Sequence, residues 1–115
     1  MWNNSSIERG ISLKGLWKHF KGSIYEVLDV VTEDGVDYVL YRKADEEGVR
    51  VNPPISFVAL DVLTNEEVLV NKYRNAYDIL HTGVKADNMV YRYFIREKGN
   101  FLEKVGEVSR FEKIN

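Results

Sequence analysis

The sequence contains no cysteine. That absence removes disulfides, thiolate nucleophiles and cysteine metal sites together, and it suits a reducing compartment. The only two prolines stand side by side at positions 53 and 54, where they can end a strand because proline cannot donate to a sheet ladder. The two histidines, His19 and His81, have no second histidine or carboxylate at an H-x-x-x-H or H-E-x-x-H spacing, so a zinc site is not expected. No apolar run approaches the roughly 20 residues that a membrane-spanning helix needs. The first ten residues, MWNNSSIERG, lack the apolar core of a signal peptide. The expectation is a cytoplasmic chain without a membrane segment.

Catalytic patterns are missing as well. There is no Gly-x-Gly-x-x-Gly or phosphate-loop pattern, and none of the serines (Ser5, Ser6, Ser12, Ser23, Ser56, Ser109) lies in a G-x-S-x-G elbow. The acidic runs Asp45-Glu46-Glu47 and Glu66-Glu67 are consecutive turn residues, whose usual role is solvation rather than acid–base catalysis. No cofactor is implied, and a non-catalytic role is favoured over an enzymatic one.

What is present is an ordinary globular composition with an uneven charge. At 115 residues, 44% hydrophobic and 30% charged, one domain over residues 1–115 is expected, with 1–12 as a loose tail. The net charge of −2 hides a balance of +3 over residues 1–22 and −6 over 23–49. A mildly acidic whole disfavours general phosphate-backbone binding, which draws its affinity from clustered bases. A local basic strip at the start could still meet an anion.

The stretch 17–42, WKHFKGSIYEVLDVVTEDGVDYVLYR, organises the rest. Residues 24–31 alternate and are rich in β-branched and aromatic side chains, which predicts a strand. Asp34-Gly35 is a strong hairpin signal, and 36–42 is the returning strand. Before them, Leu13, Leu16, Trp17 and Phe20 are spaced for one or two helical turns or for a wide loop, with Gly22 permitting a change of direction. A short strand is expected at 49–51.

Residues 57–70 are predicted as a further hairpin, with a helix near 71–80 as the alternative. Thr64 and Glu67 have capping-box spacing, and Leu69, Tyr73, Ala76 and Leu80 form a helical stripe. Against the helix, Phe57-x-x-Leu60-Asp61-Val62-x-Thr64 echoes Tyr25-x-x-Leu28-Asp29-Val30-x-Thr32, which suggests a degenerate repeat or a shared hairpin composition. Strands at 90–96, 101–105 and 110–114, with a turn at 97–100, complete a mainly β chain of about seven short strands.

Trp17-Lys18-His19-Phe20-Lys21-Gly22, Tyr25-Glu26-Val27-Leu28 and Val39-Leu40-Tyr41-Arg42 resemble an uncharacterised bacterial and phage family, domain of unknown function 1653. Its closing motif is matched by Phe101-Leu102-Glu103-Lys104-Val105 and by Arg110-Phe111. The resemblance covers 16–57 and 101–114. It implies an all-β, SH3-like barrel of unknown function, with 58–100 as an inserted hairpin or short helix, and it brings no catalytic residues. One departure is Asn52, which stands where the family carries arginine before proline and removes that side chain's contact with an anion.

The residues themselves point to an aromatic and basic constellation: Trp17, His19, Lys21, Tyr41, Arg42, Arg50 and Arg110 as candidate ligand contacts, with Tyr91 and Arg92 nearby in composition. Flat rings bury area at little entropic cost, and an arginine fork beside them can hold a carboxylate or phosphate. Tyr41 and Arg42 point to opposite faces if they share a strand, so a single surface takes only one of them. The bland alternative is that the tyrosines are core and the arginines pair with surface acids. A binding module for a protein partner is the favoured function. The other reading is an aromatic–basic groove for an anionic small molecule or nucleic acid, with nucleic acid less favoured.

Overall fold

The Asp34-Gly35 turn builds the hairpin expected of it. Both residues have positive φ, 51° and 81°, the two-residue turn geometry that follows the twist of the flanking strands. It joins β2 (Ile24–Glu33) to β3 (Val36–Lys43). A computed structural model describes residues 12–44, 51–87 and 90–114. Most of the expected 49–51 strand lies outside the described residues, and Val51 itself is not in a strand.

Eight strands form one sheet in the order β10-β1-β2-β3-β7-β4-β5-β6. The remaining members are β1 (Gly15–His19), β4 (Ser56–Asp61), β5 (Glu66–Tyr73), β6 (Ala76–Lys85), β7 (Tyr93–Glu97) and β10 (Phe111–Lys113). All neighbours are antiparallel except β4 and β7, which run parallel with Leu60 opposite Phe94. The small ribbon β8 (Lys104–Val105) and β9 (Val108–Ser109) stands apart. One helical turn, α1 (Lys98–Phe101), follows β7. The chain is therefore mainly β, as its alternation implies. Its end strands β10 and β6 do not pair with each other, so the sheet does not close into a complete barrel.

Three local expectations are corrected. Residues 13–20 are not helical: 15–19 form β1, clamped between β2 and β10. The 71–80 helix does not exist, because β5 and β6 continue the hairpin pattern there. Residues 97–100 make a helical turn rather than a simple hairpin turn, capped by the Glu97 side chain accepting from the Asn100 N–H at 3.1 Å.

The core lies on both faces of β3. Val39 and Tyr41 belong to a cluster with Trp17, Val27, Phe101 and Phe111. Leu40, between them in sequence, belongs to a second cluster with Val31, Ala59, Val68, Val70, Ile79 and Ile95. A strand with alternate residues in two clusters is covered on both sides, which is why its centre, Tyr38-Val39-Leu40-Tyr41, reads as an unbroken hydrophobic run. In β2 a bulge between Val27 and Asp29 resets the alternation, so that Val27 and Val30 pack on the first cluster while Leu28 and Val31 pack on the second. The Asp29 and Asp61 echoes do not occupy matching places: Asp29 lies at this bulge, whereas Asp61 ends β4.

The β5–β6 turn holds Arg74 at φ 52°. The left-handed region costs an ordinary side chain about 1–2 kcal/mol and asparagine less. Arg74→Asn is therefore expected to stabilise the chain by about 0.5–1 kcal/mol. The check is the urea midpoint, and a lowered midpoint would mean that the arginine side chain contributes more than its backbone costs.

Candidate functional site

Two clusters of polar groups stand out. The first was not legible as a group. β6 packs against β2, and this brings His81 to Glu33, 48 residues away, and to Asp61 at the end of β4. The His81 Nδ1 bonds Glu33 Oε1, and Nε2 lies 2.8 Å from Asp61 Oδ2. The His81 backbone N–H also donates to Glu33 Oε2 at 3.1 Å. Asp61 is 3% exposed, and its other oxygen accepts from the Leu63 and Thr64 N–H groups, at 3.0 and 3.3 Å.

Both ring nitrogens of His81 face carboxylate oxygens, an arrangement that favours the imidazolium, the form in which both nitrogens donate. Burial pushes its pKa down, but the hydrogen bonds to Asp61 and Glu33 and their negative charges together outweigh it, and the net shift is upward. Tyr38 stacks obliquely on the ring, 5.3 Å between centroids. An open groove of about 420 Å³ lies alongside, lined by Glu33, Asp34, Tyr38, Asp61, Glu66 and His81 among others. An imidazolium held at both nitrogens has no lone pair to take a proton from a substrate. Its chemistry is that of a brace, tying β2, β4 and β6 together. Among the described residues, no group of three or more histidines and carboxylates is arranged to hold a metal ion.

The second cluster brings three of the predicted contact residues, His19, Lys21 and Arg110, to the β1–β10 end of the sheet. β1 and β10 pair with His19 opposite Phe111, and the Phe20 N–H donates to the Arg110 carbonyl at 2.9 Å. The two sequence-distant motifs, 17–22 and 110–111, therefore meet at one end of the sheet. The His19 ring lies edge-on to Phe111 at 4.9 Å and against Phe20 at 4.6 Å. Its Nδ1 accepts from the Lys21 N–H at 3.1 Å, which leaves Nε2 as the protonated nitrogen of the neutral ring. Burial, and then the charges of Arg96, Lys21 and Arg110, hold its pKa below the ordinary value. Lys21 places its ammonium 5.8 Å from the Phe20 ring centre.

Arg96 is the member that sequence reasoning missed. It lies in β7, two residues after Phe94 and so on the same face, which is the one signal that could have found it. Its guanidinium sits 5.6 Å from the Phe111 ring centre. Nε donates to the Tyr41 hydroxyl at 3.2 Å and a terminal nitrogen to Asn100 Oδ1 at 2.7 Å. Asn100 also receives Arg110 on its backbone carbonyl, at 3.1 Å. Thus α1 orients both guanidinium groups.

The other predicted contacts go elsewhere. Trp17 is a core residue, 6% exposed, with its indole N–H donating to the Leu13 carbonyl at 2.8 Å. Tyr41 is likewise core at 2%. Arg42 is spent on Glu26, at 2.9 Å, and on the Val51 carbonyl, at 2.6 Å. Arg50 lies outside the described residues. Arg110 holds Glu103 at 2.9 Å and stays on the rim.

The family model described as protein of unknown function, DUF1653, matches residues 15–75, from the start of β1 to just beyond β5. The match continues through 58–75, a stretch expected from sequence to lie outside the family pattern, and ends before 101–114. No curated protein and no solved structure matches the chain. With more than half of its 115 residues inside that match, the chain belongs to the DUF1653 family.

Proposed function

We propose that this chain is a non-catalytic binding module that takes a protein partner at the β1–β10 end. The observation that carries the reading is the rim formed by Phe20, His19 and Lys21. Phe20 is 42% exposed, and both the His19 ring and the Lys21 ammonium lie against its ring. An exposed ring bordered by an imidazole and an ammonium is an economical peptide contact, since little side-chain freedom is lost on binding.

The histidines support binding over general-base chemistry. Both nitrogens of His81 are engaged by carboxylates, and the lone pair of His19 is taken by the Lys21 N–H. Neither has a lone pair to offer a substrate. Nucleic acid is the weaker reading, because a chain of net charge −2 lacks the basic surface that phosphate backbones require.

Peptide-display selection on the immobilised chain is expected to enrich a consensus sequence. Phe20→Ala and Lys21→Ala should lose that enrichment while retaining the parental melting temperature. Enrichment that survives both substitutions would place the binding surface elsewhere.

A further inference from the structure

Resting on that reading, we propose that the rim selects an acidic peptide, whose carboxylate is received by Arg96 and His19 while a neighbouring apolar side chain covers Phe20. Three arginines among the described residues are half-buried: Arg42, Arg96 and Arg110. Arg42 holds Glu26 and Arg110 holds Glu103. Arg96 has no carboxylate partner among the described residues. Its hydrogen bonds go to a phenolic hydroxyl and an amide oxygen, and its plane lies by an aromatic ring.

A half-buried charge without a counter-ion is costly, because the desolvation is paid while the Coulomb return is missing. Guanidinium offers five donors in a planar fork that matches a carboxylate, and the contacts to Tyr41 and Asn100 use two of them. His19 adds an Nε2–H for which no acceptor exists among the described residues. Its ring and the Arg96 guanidinium both border Phe111, so the donors share one short stretch of rim. Lys21, exposed and with its ammonium against the Phe20 ring, adds a cation that has no ion pair among the described residues.

The size of this charge cluster selects the ligand class. One guanidinium, one imidazole and one ammonium suit a single carboxylate, whereas a polyphosphate chain calls for more clustered cations than these. The exposed Phe20 ring next to the donors calls for an apolar group on the same ligand, which an acidic residue beside an aliphatic or aromatic one supplies.

The test is side-chain NMR of the intact chain with three probes: phenylpropionate, its neutral amide phenylpropanamide, and inorganic phosphate. Phenylpropionate is expected to move the His19, Phe20 and Arg96 resonances saturably, and the amide to bind at least about tenfold more weakly, a difference of about 1.4 kcal/mol. Arg96→Gln should abolish the acid preference. Because Arg96 also holds Tyr41 and Asn100, Lys21→Glu provides the second variant; it alters only an exposed side chain and is expected to reduce the preference severalfold.

Equal binding of acid and amide overturns the carboxylate site while leaving the rim as a peptide surface. Phosphate binding about tenfold tighter than phenylpropionate overturns the acidic-peptide assignment. An unchanged preference in Lys21→Glu, or no movement of these resonances with any probe, also overturns it, and the display selection then decides separately whether the rim binds a partner at all.

Discussion

Replacing Phe101 with alanine is expected to destabilise the chain by about 3–5 kcal/mol. Phe101 is fully buried although it belongs to a helix of only four residues. Its ring stacks on Phe111 at 4.1 Å, nearly parallel, and meets Trp17 and Tyr41 edge-on at 5.2 and 5.4 Å. Truncation removes the transfer free energy of the ring and leaves a cavity between rigid strands, which cannot collapse to fill it. A domain of this size has a stability of about 5–15 kcal/mol in all, so the loss is a large share. In urea, the midpoint should fall with the slope unchanged. Phe20→Ala, on the exposed rim, serves as the control and should stay within about 0.5 kcal/mol. A Phe101→Ala loss below about 1 kcal/mol would show that α1 is not a structural part of the first core cluster.

The second large effect is on pH dependence. Burial opposes protonation of His81, but the hydrogen bonds to Asp61 and Glu33 together with their charges raise its pKa above the ordinary 6.5. Its folded form therefore holds a proton that the unfolded chain has released. The resulting stabilisation is complete below pH 6.5 and is lost as pH rises through the folded pKa. The slope can be no steeper than about 1.4 kcal/mol per pH unit, and solvent screening of a side chain 19% exposed makes it shallower. His19 behaves in the opposite sense. Its pKa is lowered by burial and by Arg96, Lys21 and Arg110, so its contribution is present above pH 6.5 and is lost as pH falls through the folded value.

The two windows do not overlap, and the alkaline one belongs to His81 alone of the two. Unfolding measured between pH 6.5 and 9 should show declining stability in the parent chain. His81→Gln, which cannot carry the proton, should flatten that decline while lowering stability at pH 6.5. A parent chain equally stable across this range would refute the imidazolium brace, as would an unaltered slope in the variant.

The helical stripe read at 69, 73, 76 and 80 shows why local periodicity misleads. In the sheet, Leu69 pairs with Leu80 and Tyr73 with Ala76. A hairpin folded about residues 74 and 75 places those four residues on its outward face, where all are exposed. Their spacing imitates a helix because cross-strand pairs are symmetric about the turn. Positions 13, 16, 17 and 20 misled for a related reason. Leu13 and Trp17 face the core while Phe20 is turned outward in the loop after β1, and the strand is completed on its far side by β10, over 90 residues later in the chain.

By itself the sequence determined the β class, the Asp34-Gly35 hairpin, the absence of thiol chemistry and the aromatic–basic character of residues 17–22. These follow from side-chain type and near-neighbour spacing, which a linear chain displays directly. Tertiary structure alone decided which residues share a surface. It sent Trp17 and Tyr41 into the core, gave Arg42 to Glu26, and set Arg96 over the Phe111 ring with no carboxylate partner among the described residues. It also drew Glu33, Asp61 and His81 from three strands into one brace. Contacts of that kind depend on strand order and on a bulge that resets which face each residue occupies, and neither is written in the spacing of the residues that finally meet.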